Sequence, residues 1–236
     1  MEKGKLYLIP NVIADNTQSA VIASHIRDAL AGIRHFLVED VRTARRFLSS
    51  LKIYASIEEL TFEILNKDTK REDLQLMLGG IFNGLNIGII SESGCPGIAD
   101  PGALAVRFAH DNDIAVVPLV GPSSVLLALM ASGLNGQKFA FHGYLPIDAR
   151  ECAATIHELE KESRQKNQTQ IFIETPYRNN HLKELLLKNL KNETMLCIAM
   201  NITSRDEKIR TLSVKTWKST PSDMPKTPAV FLFLSF

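Results

Sequence analysis

Apolar positions along this chain follow two different periods. Short runs of β-branched and aromatic residues alternate with longer stretches in which apolar residues recur every three or four positions. The short runs predict strands over 5–10, 35–38, 86–91 and 114–119. The longer ones predict helices over 17–31, with Val21, Ile22, Ile26 and Leu30 on one face, and over 42–51, 71–85, 100–111 and 123–132. Residues 53–65 fit neither period cleanly, although 60–65 has strand character. Such alternation implies a mostly parallel sheet covered on both faces.

After 138 the pattern changes. A strand over 138–142, a long polar helix over 150–165, a strand over 170–174 and a helix over 179–190 are followed by three strand-like runs, 195–202, 208–217 and 229–236. Strands that follow one another without crossover helices favour antiparallel pairing. The expectation is therefore two α/β domains, 1–121 with a mostly parallel sheet and 122–236 with a mixed one. The stretch 219–228, with three prolines, reads as an exposed loop before the last strand.

Composition narrows the class. Hydrophobic residues make up 45% and charged residues 22%, so a chain of 236 residues can bury a core without disulfides. Cys95, Cys152 and Cys197 are odd in number and far apart, which suits a reducing, cytoplasmic setting. The first ten residues read as a strand and not a signal peptide, and no apolar run reaches membrane-spanning length. No His/Cys/Asp group has metal-ligand spacing, so neither a metal nor a membrane is expected. Net charge is +1, so any nucleic-acid contact must use a local basic patch.

Two loops carry the chemistry. Residues 91–102, SESGCPGIADPG, leave a buried strand and enter a helix, with three glycines and two prolines in twelve residues. Asp100 and Pro101 suit the start of that helix. Residues 120–124, VGPSS, do the same after the next strand, with Ser123 and Ser124 at a helix N-terminus. Loops at the carboxyl ends of parallel strands are where open α/β sheets bind ligands, though either loop alone is equally a tight structural connection. Neither has the pattern of a Walker loop or of a dinucleotide-binding glycine motif.

Taken in order, LYLIP (6–10), VEDVR (38–42), SESGCPGIADPG, VVPLVGPSS (116–124), FAFHGYLP (139–146) and IETPYR (173–178) resemble the tetrapyrrole-methylase superfamily. The chain is most similar to the branch that methylates cytidine 2′-hydroxyls of small-subunit ribosomal RNA. The resemblance implies a tetrapyrrole-methylase-like fold with S-adenosylmethionine in a cleft between two α/β domains, and a homodimer. It implies cofactor contacts from Pro10, Gly94, Cys95, Pro96, Ile98, Ser123, Ser124, Ala199 and Met200. It also implies an acceptor of small-subunit rRNA or the ribosomal subunit. There are departures. The family's Thr-Pro-Ile-Gly-Asn loop lacks its Gly at Pro10-Asn11-Val12-Ile13. Its Glu-Ser-Pro-His-Arg becomes Glu174-Thr175-Pro176-Tyr177-Arg178. Its Ala-Arg-Glu-Leu-Thr-Lys becomes Ala199-Met200-Asn201-Ile202-Thr203-Ser204, without the three charges.

Methyl transfer to a ribose hydroxyl calls for in-line alignment, which supplies roughly 7–11 kcal/mol, and is helped by a general base. Carboxylates that could serve are Glu39, Asp40 and Glu174, with Glu92 and Asp100 beside them in the sequence motifs. Asp100 fits a helix cap better than a base, Glu39 and Asp40 also fit a pairing with Arg42 or a neighbour, and Glu174 a pairing with Arg178. His142 suits a structural hydrogen bond as well as a base. For RNA, Arg42, Arg45 and Arg46 share a helix face, while Tyr177 and Tyr144 are candidate stacking residues and Arg178 a candidate contact; each also fits a solvated or packed surface. The alternatives to rRNA are carbon methylation of a corrinoid or other tetrapyrrole, and a cofactor- or RNA-binding module without activity, to which the altered 199–204 segment points.

Overall fold

The computed structural model describes residues 2–220 and 223–236. The chain forms two compact units, one ending at Ser123 and the other running Ser124–Phe236.

The first unit is built on five parallel strands, β1 (Leu6–Ile9), β2 (His35–Val38), β3 (Thr61–Ile64), β4 (Ile87–Ile90) and β5 (Val116–Pro118), ordered β3-β2-β4-β1-β5. All four residues of the central β4 are buried, as an apolar run covered on both faces requires. One face carries α1 (Gln18–Val21), α2 (Ser24–Ala31) and α3 (Val41–Leu51), where Ile26, Leu30, Phe47 and Leu48 pack on Ile9, Phe36 and Ile90. The other carries α4 (Arg71–Met77) and α5 (Gly102–Asp111), where Leu74, Ala105 and Phe108 pack on Leu6, Leu37, Ile87 and Ile89. The chain leaves β1 toward β2 over the first face and leaves β4 toward β5 over the second. β1 and β4 are neighbours whose connections leave over opposite faces, so their carboxyl ends mark the topological switch point of the sheet, where open α/β sheets bind ligands.

Two predicted helices are shorter than their periodicity suggests. The helix over 17–31 breaks at Ile22 and Ala23, both extended, so α1 and α2 are separate. The helix over 71–85 ends at Met77 and gives way to a 3₁₀ turn over Gly79–Asn83, because two successive glycines weaken an α-helix by roughly 1 kcal/mol each.

The second unit has β6 (Phe139–Tyr144), β7 (Thr169–Glu174), β8 (Met195–Met200), β9 (Lys208–Ser213) and β10 (Ala229–Leu234) in the order β6-β7-β10-β8-β9. β6 and β7 are parallel; β10 runs antiparallel to both β7 and β8, and β8 to β9. The sheet is therefore mixed, with the last strand in the middle. Helices α7 (Ala149–Lys166), α8 (Asn179–Asn189) and α9 (Val214–Lys218) cover one face through Ile156, Leu182, Leu186 and Trp217. Helix α6 (Ser124–Ser132) covers the other through Val125, Ala128 and Leu129. The strand predicted through 217 stops at Ser213, whose hydroxyl accepts from the Thr216 amide and caps α9. The loop expected over 219–228 includes Pro221 and Ser222, which lie outside the described residues; 223–228 holds no helix or strand. Among the described residues no helix is long and apolar enough to cross a membrane.

Candidate functional site

In the first unit the carboxyl ends of β1 and β4 are stitched together by one side chain. Asn11, 2% exposed, donates from Nδ2 to the carbonyls of Ser91 and Glu92, both at 3.1 Å. Its Oδ1 accepts from the Val12 amide at 2.8 Å, and its own amide donates to the Gly94 carbonyl at 2.9 Å. The Ser91 hydroxyl donates to the same carbonyl at 2.7 Å. Asn11 was not among the expected site residues. Its only signal in the sequence is that it falls where the family's loop pattern is broken.

The loop after β4 then turns sharply. Gly94 has φ +69°, and a Cβ there would meet the Pro122 carbonyl oxygen at 3.1 Å. The glycine is thus required by the protein's own backbone as much as by any ligand. The Cys95 thiol donates to the Pro122 carbonyl at 3.3 Å, and burial raises its pKa, which suits a packed thiol and not a nucleophile. Pro96 is buried, whereas Ile98 is 54% exposed on the turn. Asp100 Oδ1 accepts from the amides of Gly97 and Gly102 at 2.6 and 2.7 Å, so it holds the turn and starts α5. From β5, Gly121 lies against Pro10. Of the residues expected to line a cofactor, the fold thus brings Pro10, Gly94 and Cys95 together around Gly121 and Pro122. Ser123 closes this unit.

Parallel register puts the end of β2 beside that of β4, so Glu39 comes near Glu92 and Asp100. Partial burial raises the Glu39 pKa from 4.5 to about 7, and the charges of Asp100 and Glu92 add to the rise, while the Glu92 backbone opposes it. Asp40 behaves differently. Its Oδ1 accepts from the Thr43 amide at 2.7 Å and caps α3, and that bond holds its pKa low. Asp40 is thus an ionised cap and the weaker base. Arg42, Arg45 and Arg46 are all exposed on α3, and none forms an ion pair among the described residues. The Arg45 guanidinium lies 5.5 Å from the Phe62 ring centroid.

The remaining expected residues lie in the second unit. Glu174, at the end of β7, is 5% exposed; its Oε1 accepts from the Thr175 amide and its Oε2 lies 3.1 Å from Arg178 Nη2. This buried pair fixes the entry to α8. Tyr177 is 81% exposed, with the Lys226 ammonium 5.5 Å from its ring centroid. The Ala199 methyl is buried in the α6 core, so this residue presents no side chain to a ligand, and Met200 is half-buried beside it. Beyond them Asn201 and Thr203 hold φ of +51° and +71°. Ser124 opens α6, whose Leu126 and Met130 are exposed one turn apart. His142 Nε2 shares a 2.6 Å hydrogen bond with Gln170 Oε1, a structural partner on the neighbouring strand. No group of three His, Cys, Asp or Glu among the described residues is placed to hold a metal ion.

This architecture has known counterparts. The family model of tetrapyrrole (corrin/porphyrin) methylases matches residues 12–217. Ribosomal RNA small subunit methyltransferase I of Vibrio cholerae serotype O1 is 31% identical over 233 residues, covering 96% of this chain and 76% of that protein. The protein of the same name from Escherichia coli O157:H7 is 30% identical over 88% of this chain and 68% of its own length. Among solved structures, the methyltransferase CobJ superposes with a TM-score of 0.63 at 14% identity, covering 98% of this chain and 94% of that one. Uroporphyrin-III C-methyl transferase from Thermus thermophilus, complexed with S-adenyl homocysteine, gives 0.56 at 15% identity, covering 98% and 97%.

Proposed function

The chain belongs to the tetrapyrrole methylase family and is homologous to ribosomal RNA small subunit methyltransferase I, and from this we propose that it transfers a methyl group from S-adenosylmethionine to a ribose 2′-hydroxyl of small-subunit rRNA. The observation that supports the reading is the β1/β4 switch point, where the Asn11-tied loop lies beside Glu39, Glu92 and Asp100.

The residues present fit the cofactor. Three carboxylates beside an exposed Ile98 suit a ligand with a cationic centre and an apolar body. S-adenosylmethionine, when bound, supplies an electrophilic methyl on a sulfonium sulfur. The loop residues Pro10, Gly94, Cys95, Pro96 and Ile98 would hold it, with Ser123, Ser124, Ala199 and Met200 assigned by resemblance. Glu39 is the residue assigned to take the 2′-hydroxyl proton. Its pKa near 7 balances the fraction ionised against basicity. Arg42, Arg45 and Arg46 are assigned to phosphates of the acceptor, since they are exposed and free of ion pairs among the described residues. Tyr177 and Arg178 are weaker assignments, the second because Glu174 already engages it.

The protein is further proposed to act as a homodimer in the cytoplasm. Exposed Leu126 and Met130 support a second copy, and three unpaired cysteines support a reducing compartment. The test is transfer of labelled methyl from S-adenosylmethionine to small ribosomal subunits and to naked rRNA, with mass spectrometry of the product nucleosides. A 2′-O-methylated nucleoside is the expected product. Methylation of a corrinoid precursor with none of RNA would overturn the acceptor, and cofactor binding without transfer to either would overturn the activity. Light scattering at micromolar concentration tests the dimer.

A further inference from the structure

The balanced total charge hides an asymmetry between the units. Residues up to Ser123 carry 12 Lys and Arg against 15 Asp and Glu, whereas Ser124–Phe236 carries 15 against 11. In the second unit, residues 208–218 hold four bases, Lys208, Arg210, Lys215 and Lys218, and no acid.

The fold sets one of these bases, Arg210, against an aromatic ring. Strand β9 is an edge strand, and Lys208 and Arg210, two residues apart, project to the same side of it. Their Cα atoms stand roughly 6.6 Å apart, two strand residues, a step comparable to that between successive phosphates of a single strand. The chain then turns at the Ser213 cap into α9, which brings in Lys215 and Lys218. The Arg210 guanidinium lies 5.7 Å from the Trp217 ring centroid, and Lys183 of α8 lies 5.5 Å from the same centroid. Lys218 Nζ donates to Asn192 Oδ1 at 2.8 Å. Lys208, Arg210, Lys215 and Lys218 are exposed, and none is in an ion pair among the described residues. Two of the four are thus held in place by neutral partners, so binding an anion there costs less side-chain freedom. Asp206 and Glu207 precede the patch in sequence, the second already accepting from the Thr203 amide at 2.8 Å, and Asp223 follows it.

We propose that the β9–α9 surface of the second unit is a docking site for the RNA phosphate backbone, in addition to the α3 arginines of the first unit. The proposal rests on the reading of RNA as the acceptor and extends it. RNA fits better than an acidic protein because, among the described residues, the patch holds no exposed large apolar or aromatic anchor. Trp217 is 6% exposed and spends its indole N–H on the Leu196 carbonyl, at 2.8 Å. Protein interfaces are built around such anchors, whereas phosphate binding needs only cations. Charges on an edge strand also block unwanted strand pairing, but that role does not account for Lys215 and Lys218 on α9.

The test replaces all four exposed bases (Lys208→Gln, Arg210→Gln, Lys215→Gln, Lys218→Gln) in the full chain. Its probe is a small-subunit rRNA transcript, titrated at several salt concentrations. Binding should weaken regardless of sequence, with the salt slope lower by about 1 for each side chain that meets a phosphate. Cofactor affinity by calorimetry should be unchanged, which shows that the variant is folded. An unchanged RNA affinity and slope would overturn the docking site while leaving the acceptor reading standing, provided the parent methylates RNA. If the parent binds rRNA through these residues but methylates none, the docking site stands and the acceptor reading falls. If the parent binds no rRNA, both fall. Selective capture of an acidic protein by the patch, with rRNA binding unaffected by the substitutions, would also overturn the proposal.

Discussion

Gly121 lies so close to Pro10 that a Cβ built on it would stand 2.0 Å from Pro10 Cβ. The loop after β5 is therefore seated directly on the exit from β1. Gly121→Ala must push these segments apart. Overpacking of this kind costs about 1–3 kcal/mol, and the displacement should weaken S-adenosylmethionine binding as well. Gly32→Ala is the control, since a Cβ there meets nothing within 4 Å. Denaturant titration of the two variants should separate them, and equal stability would show that the Pro10–Gly121 contact relaxes freely.

Asn11 ties the exit from β1 to the loop after β4. Asn11→Ala strips partners from the Ser91 and Glu92 carbonyls, and each buried polar group left unpaired costs about 1–3 kcal/mol. Asn11→Asp is the sharper probe. When ionised it cannot donate, and it adds a negative charge beside the Glu92 backbone, on the next strand but one from Glu39. The pH midpoint for methyl transfer should therefore move up, a change that loss of stability alone does not produce.

Glu39 gives a pH dependence with a definite sign. Its folded pKa of about 7 lies above its ordinary value of 4.5, so the folded protein keeps a proton that the unfolded chain releases between those values. The stability this group contributes is full below 4.5 and is lost as pH rises through 7. Glu39→Gln should thus gain on the parent over that interval, by about 1 kcal/mol once solvent screening of a partly exposed group is allowed for. Transfer rate should fall below pH 7 in the parent, as the base becomes protonated, and collapse in Glu39→Gln with cofactor binding retained. A cation beside Glu39 offsets the repulsion from Glu92 and Asp100. Binding of S-adenosylmethionine near pH 6 should release protons, seen as buffer-dependent heats in calorimetry, and S-adenosylhomocysteine, which lacks the sulfonium charge, should release fewer.

Replacing Arg42, Arg45 and Arg46 with Gln should reduce methylation of rRNA and lower the salt slope of binding by about 1 per lost phosphate contact. Folding should change by under about 0.5 kcal/mol from Arg42 and Arg46. Arg45 should cost slightly more, about 0.5–1 kcal/mol, because it lies over the Phe62 ring. Unchanged methylation and salt dependence would make the three a solvated helix face.

Strands were legible where a local period specified them. His35–Val38 and the alternation of strand and helix up to Ser132 could be read directly. The break at Ile22–Ala23 could not, because Val21, Ile22, Ile26 and Leu30 keep helical spacing across it. Nor could the end of β9, because Ser213 is both an acceptable strand residue and a helix cap, and only the Thr216 amide decides between them. In the site, Glu39, Glu92 and Asp100 were legible as separate carboxylates. Their grouping depends on β2 pairing with β4, two strands separated by some fifty residues of chain. Asn11 was missed for the same reason, since its partners lie 80 and 81 positions away.

The place of β10 between β7 and β8 sets an order of events during synthesis. As the chain emerges, β6 with β7 and β8 with β9 can form as separate pairs, but the strand that joins them follows all four in chain order among the described residues. Until Ala229–Leu234 arrives, the facing edges of β7 and β8 are unpaired and the side chains that meet Phe231 and Phe233 are uncovered. The first unit has all of its strands by Pro118 and can complete its sheet while the second is still being made. Nascent second units therefore pass through an interval of exposed strand edges, in which chaperone binding or pairing between neighbouring chains competes with the arrival of the final strand.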